Sequence, residues 1–199
     1  MIVLMSAFLL LSAFSCGGGN KANSTSEQSE ETAVNVPQFD ADSAYLYVKN
    51  QVDFGPRVPN TKEHVACGNY LAGQLEAFGA QVTNQYADLI AYDGTLLKAR
   101  NIIGSYKPES KKRIALFAHW DTRPWADNDP DEKNHNTPIL GANDGASGVG
   151  ALLEIARLVN QQQPELGIDI ILLDAEDYGA PQFYTGQHKE EFWCLGSQY

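Results

Sequence analysis

The chain has 199 residues, 43% of them hydrophobic and 20% charged, which is enough apolar material for one ordinary domain with a buried core. Its formal net charge is −11 at pH 7, and an acidic surface of that kind argues against nucleic acid as a partner. Lys111-Lys112-Arg113, the one basic cluster, reads as a solvated turn ahead of a strand.

Residues 1–15 (MIVLMSAFLLLSAFS) form an apolar run about as long as a signal-peptide core and too short to span a bilayer as a stable helix. Ala-Phe-Ser followed by Cys16 resembles a bacterial lipoprotein cleavage site, although Phe14 is bulky and a basic leader is missing. The expectation is an exported protein of the bacterial cell envelope. A lipid on Cys16 would hold it to the membrane, facing the periplasm, and a plain cleaved signal is the alternative. Residues 16–37 are rich in Gly, Ser, Asn and Glu, cannot bury enough surface to order themselves, and read as a tether. The folded part is expected over 38–199. Beyond Cys16 the chain has Cys67 and Cys194, whose spacing leaves pairing and two free thiols equally open.

Residues 40–54 read as a helix capped by Asp40, with Tyr45, Val48 and Val52 on one face. FGPRVPN (54–60) breaks it. A second helix follows, with Asn60 as N-cap and Glu63 three residues on. Cys67, Leu71, Leu75 and Phe78 mark its inner side, and Gly79 ends it. Segments near 80–91 and 96–105 read as strands joined at Asp93-Gly94. Residues 113–118 and 168–173 are continuous apolar runs, the pattern of central strands covered on both faces. Between them, residues 145–162 read as a crossover helix. Val149, Leu152, Leu153, Ala156 and Val159 fall inward, with Glu154 and Arg157 on the opposite face. Strand, helix and strand make a βαβ unit, hence an α/β fold with at least partly parallel pairing. The connection 120–140 is long and polar, which points to a functional or mobile loop.

Ligands in open α/β sheets collect outside the carboxyl ends of strands. His119 and Asp121 follow one such end; Asp174, Glu176 and Asp177 follow another; Asp144 stands at the start of the crossover helix on the same rim. Imidazole nitrogen and carboxylate oxygen are ordinary zinc ligands, so the three segments together form a candidate zinc site. Gly141, Gly145 and Gly148 permit a tight turn into the helix, whose N-terminus favours an ionised Asp144. Singly, each residue has a plainer reading: a satisfied structural histidine, an N-cap aspartate, an exposed acidic turn. His64, His135 and His188 read as surface residues, His135 within reach of a substrate.

FGPRVPNT, AHWDTRPWADNDPD, PILGANDGASGVGALLEIARL and LLDAEDYG, in this order, resemble bacterial glutaminyl-peptide cyclotransferases. These share a superfamily with the co-catalytic zinc aminopeptidases, metallopeptidase family twenty-eight. The resemblance implies a three-layer zinc-aminopeptidase-like fold with a mixed, largely parallel central sheet. It makes Asp144 and Asp177 metal ligands and Glu176 the general acid/base. It makes His119 a ligand only where a second zinc binds, as in the aminopeptidases, with Asp121 orienting its ring. The family pattern also needs a later histidine ligand and a later acidic residue. The expectation is therefore an N-terminal part of a longer protein, with later strands of the sheet missing.

The activity implied is conversion of the N-terminal glutamine of peptides or proteins to pyroglutamate with release of ammonia. The alternatives are a zinc aminopeptidase and a non-catalytic binding lipoprotein of the same fold. The HWDTRPWADNDPD stretch, and Glu-Asp in place of the peptidases' Glu-Glu, point to the cyclase. Trp120, Trp125 and Trp193 are candidates to line a small pocket around the glutamine stem, with core packing the plainer reading for Trp193.

Overall fold

In the computed structural model, residues 35–199 are described; the candidate signal segment 1–15, Cys16 and nearly all of the tether lie outside them. Helix α1 (Ala41–Asp53) starts where the Asp40 carboxylate accepts from the backbone N–H groups of Asp42 and Ser43. Its inner row is Ala44, Tyr47, Val48 and Gln51, because Gly150 of the crossover helix lies against Ala44 and Val48. Tyr45, expected on that face, falls outside the row and is 73% exposed.

Helix α2 (Lys62–Ala77) is capped one residue later than expected. Thr61 Oγ1 accepts from His64 N at 3.2 Å. Asn60 takes a left-handed conformation and binds the backbone of Leu96 and Lys98 instead, so its side chain is unavailable as a cap. Cys67, Leu71 and Leu75 are fully buried on the inner side and Phe78 is partly buried.

Strands β1 (Gln81–Ile90) and β2 (Leu96–Tyr106) form an antiparallel hairpin closed at Asp93-Gly94. β3 (Arg113–His119), helix α3 (Ala146–Gln161) and β4 (Gly167–Leu173) form the βαβ unit, with β3 and β4 parallel. The sheet order is β1-β2-β4-β3 and the sheet is mixed. Among the described residues the β3–β4 pairing is the parallel one, and β1–β2 and β2–β4 are antiparallel. α2 and α3 cover one face of the sheet; α4, the single turn Leu195–Gln198, meets β1 and β2.

Two expectations about burial need correction. β4 is interior, but β3 is the edge strand of the described sheet, and its Ile114 and Phe117 are 46% and 58% exposed. Its continuous apolar run therefore does not reflect cover on both faces here. Glu154, expected on the outer face of α3, is fully buried, because its carboxylate accepts from Asp40 N at the start of α1 and pairs with Arg157. The α3 residues expected inside, Val149, Leu152, Leu153, Ala156 and Val159, are buried. Arg113 is also no part of a free turn: it opens β3 and forks onto Asp169 of β4 at 2.6 and 2.7 Å. Cys67 is buried, Cys194 is exposed, and both are free thiols.

Candidate active site

β3 and β4 run parallel, so both deliver their next residues to one rim, and α3 starts from the same rim. Gly145 makes the turn into α3 at φ 91°, where an added Cβ would lie 2.8 Å from the Asp121 carbonyl oxygen. Gly141 has φ 57° and packs as closely on Asp144 O. Only glycine fits such backbone approaches. Gly145 is the helix cap, with no side-chain capping bond, so Asp144 is left free of that duty.

Asp144 instead reaches across the rim. Its Oδ1 accepts from His119 Nε2 at 3.0 Å. The other ring nitrogen, Nδ1, is 3.4 Å from Asp121 Oδ1 but makes no directed hydrogen bond. Burial pulls the imidazole pKa down; Asp121 and Asp144 beside it outweigh that and raise it to about 9. Asp121 is fully buried, and its carboxylate holds the opposite loop: Oδ1 accepts from Glu176 N and Oδ2 from Asp177 N, each at 3.2 Å. Its main service is thus to the Glu176-Asp177 turn, with the His119 ring in contact.

That turn leaves β4 through Asp174 and Ala175, the latter in a left-handed conformation at φ 53°. Asp174 is fully buried and has four hydrogen-bond contacts, from His64 Nε2 to both oxygens and from the backbone of Arg100 and Ala175. His64 is therefore not a surface residue. It is 3% exposed, stacked on Trp120 with ring centroids 4.3 Å apart. His135 is half-buried against Phe183 and His188 is exposed.

Glu176 points its carboxylate at the last turn, accepting from Ser197 N and Ser197 Oγ at 2.7 and 2.9 Å. Asp177 differs from its neighbours. Its Oδ1 is 3.4 Å from Arg123 Nη1, while Oδ2 is buried with no hydrogen-bond partner. Burial raises its pKa to about 7, against the pull of Arg123 and with the push of Asp144. A cavity of about 300 Å³ lies over Asp144 and Asp177, walled by Arg123, Gln182, His188 and Trp193. Trp125 lines the adjoining cavity beside Asp144.

The tryptophans divide differently from expectation. Trp120 is a fully buried core residue whose Nε1 donates to Arg100 O, and it borders a separate cavity of about 190 Å³ on the α2 side. Trp193, for which core packing was the plainer reading, stands at the cavity wall with the Arg123 guanidinium 4.7 Å from its ring centroid.

Three further groups, none of them a site residue expected from the sequence, build this rim. Arg57, fully buried, donates to the carbonyls of Trp120, Leu140 and Gly141, and so ties FGPRVP to both site loops. Arg123 pairs with Asp127 four residues on. Ser197 closes on Glu176. The Arg123/Asp127 spacing was a usable signal; nothing local marks Arg57 or Ser197.

Two oxygen donors here suit zinc: Asp177 Oδ2, buried without a partner, and the Asp144 carboxylate beside it. Among the described residues, no group of three or more His, Cys, Asp or Glu side chains is placed to hold a metal ion.

Residues 101–199 match the sequence profile of peptidase family M28. A glutaminyl cyclase from Bacteroides thetaiotaomicron, solved bound to N-acetylhistamine, is 94% identical with a TM-score of 0.82 over 83% of this chain and 56% of that one. A structure described as a leucine aminopeptidase precursor from Bacteroides thetaiotaomicron VPI-5482 is also 94% identical, with a TM-score of 0.83 over 83% and 57% of the two chains. Tannerella forsythia glutaminyl cyclase is 58% identical, TM-score 0.80, over 81% and 55%. The chain thus spans little more than half the length of the solved structures it resembles.

Proposed function

This chain belongs to peptidase family M28, and from that premise we propose that the whole protein is a zinc-dependent glutaminyl-peptide cyclotransferase. The observation that carries the reading is Asp177 Oδ2, buried without a partner under a cavity that Asp144 shares. Asp144 and Asp177 would hold the zinc. Bound there, zinc supplies Lewis-acid polarisation of an amide carbonyl.

The rest is done by groups of this chain. The cavity takes the side-chain amide of an N-terminal glutamine, with Trp193 and Trp125 as apolar walls that limit water. The peptide's own α-amine attacks the side-chain carbonyl carbon. A C–N bond forms, the bond to the amide nitrogen breaks, and ammonia leaves. Glu176 takes the proton from the attacking amine and returns it to the departing nitrogen. Ser197 holds the Glu176 carboxylate in place for that transfer. No external nucleophile is needed, so one metal ion is enough.

His119 separates this reading from the peptidase. In the cyclase reading His119, whose Nε2 meets Asp144, braces a ligand and binds no second zinc. The aminopeptidase reading rests on the same histidine released to a second metal, and on the name borne by one of the relatives. The test is Glu176→Gln assayed on a Gln-initiated peptide. We expect about a 10²- to 10⁴-fold loss of kcat for ammonia release. Pyroglutamate formed at the wild-type rate, or release of the free N-terminal amino acid with two zincs bound, defeats the cyclase reading.

The apolar leader and Cys16 support an exported, lipid-anchored protein of the bacterial envelope. Radiolabelled palmitate that still enters a Cys16→Ser variant would refute the anchor.

A further inference from the structure

Arg123 is 8% exposed in a loop that carries no regular strand or α-helix, a costly place for a charge that only joins surface loops. Each of its donors is committed. Nε and Nη2 fork onto the Asp127 carboxylate at 2.7 and 2.6 Å. Nη2 also reaches Ala180 O at 3.4 Å. Nη1 is shared among Asp177 O, Asp177 Oδ1 and Gly179 O at 3.3 to 3.4 Å. Asp127, held in this way, also accepts from Gln182 N at 2.9 Å. The guanidinium lies 4.7 Å from the Trp193 ring centroid and 5.7 Å from that of Trp125. One planar group therefore touches the 120s loop, the 177–180 segment and both aromatic walls.

The grip on Asp177 is the informative part. Nη1 meets both the backbone carbonyl and one carboxylate oxygen of this residue, which limits rotation of its side chain. The oxygen left over is Oδ2, the buried atom without a partner. We propose that Arg123 is the positioning residue for the metal site: it fixes Asp177 by Oδ1 so that Oδ2 is presented to the cation, and Asp127 fixes Arg123. This rests on the zinc reading of Asp177 above. A lysine in its place keeps the charge but has neither the planar fork for Asp127 nor the spread to reach Asp177 and the 179–180 carbonyls together.

The test is zinc titration of the purified, metal-free full-length protein, with its thermal midpoint measured in parallel. Arg123→Lys is expected to weaken zinc binding by about ten-fold or more. Asp127→Asn, which leaves the arginine but frees it, is expected to weaken it by a smaller factor. The double variant should be no weaker than Arg123→Lys alone, because the two residues act through one contact. A loop brace with no bearing on the metal would lower the midpoint and leave the zinc affinity of the folded protein unchanged. Wild-type affinity, within two-fold, in both single variants overturns the assignment of Arg123 while leaving zinc at Asp177 intact. Should Arg123→Lys fail to fold, Asp127→Asn alone decides the matter by the same criterion. A wild-type protein that takes up no zinc overturns the metal reading, and this inference with it.

Discussion

The two ends of the β3–β4 pair carry opposite solutions to the same problem, which is charge at the edge of a sheet. At the amino ends, Arg113 forks onto Asp169, Ser105 Oγ donates to the same carboxylate, and Arg113 also meets the carbonyls of Lys107, Tyr106 and Ile168. At the carboxyl ends, Asp121, Asp144 and Asp177 gather around His119, and Asp177 Oδ2 and His119 Nδ1 stay without hydrogen-bond partners. The difference separates structural charge from functional charge. A pair that only holds strands together is satisfied within the protein, whereas a rim left acidic and partly unsatisfied is fit to receive a cation.

The same contrast recurs within the rim, between two residues three positions apart. Asp174 is buried and fully partnered; Asp177 is half-buried, with one carboxylate oxygen partnered and the other buried without a partner. Burial raises the pKa of both. If the first is structural and the second functional, removing partners must hurt different properties. His64→Ala strips Asp174 of its ring donor and is expected to cost about 3–5 kcal/mol of stability, read by urea unfolding. A loss under about 1 kcal/mol would make that pair dispensable and erase the contrast.

Asp177→Asn should do the reverse. Zinc affinity is expected to fall at least about a hundred-fold, equivalent to about 2.7 kcal/mol, while the metal-free thermal midpoint moves by about 3 °C at most. A collapse of the midpoint in this variant would place Asp177 with Asp174 on the structural side.

The smallest effect belongs to the amino ends. Arg113 and Ser105 bond the Asp169 carboxylate and hold its pKa below the ordinary 3.8. A depressed carboxylate pKa stabilises the fold at pH well above 3.8, and that contribution is lost as the pH falls through the lowered value. Arg113→Gln should therefore lower the midpoint by about 1–3 °C at neutral pH, with the gap closing as the pH drops below that point. A gap that persists in acid would mean that Arg113 acts through its carbonyl contacts instead.

Much of this was legible in the chain. The run IDIILL, the hairpin at Asp93-Gly94 and the inward row Val149 to Val159 appear where local pattern puts them, because burial period and turn chemistry are local properties. The three acidic segments were likewise expected on one rim, since parallel strands joined by a helix must end at the same side. Misjudged residues share a feature: their neighbours lie far away in sequence. Glu154 looked exposed by helical period, yet its partner is Asp40 N, 114 residues earlier. His64 looked like a surface histidine, yet it meets Asp174, 110 residues later. β3 looked central, yet nothing among the described residues covers its Phe117 face.

By itself, then, the sequence determined the main elements, the parallel pairing of β3 with β4 and the place where carboxylates and a histidine converge. Periodicity, turn residues and strand-end chemistry are written within a few residues of each other. Tertiary structure alone decided which carboxylate is satisfied and which is left open. That depends on where Arg57, His64, Arg123 and Ser197 arrive from distant segments, and on how deeply each acid is taken out of water.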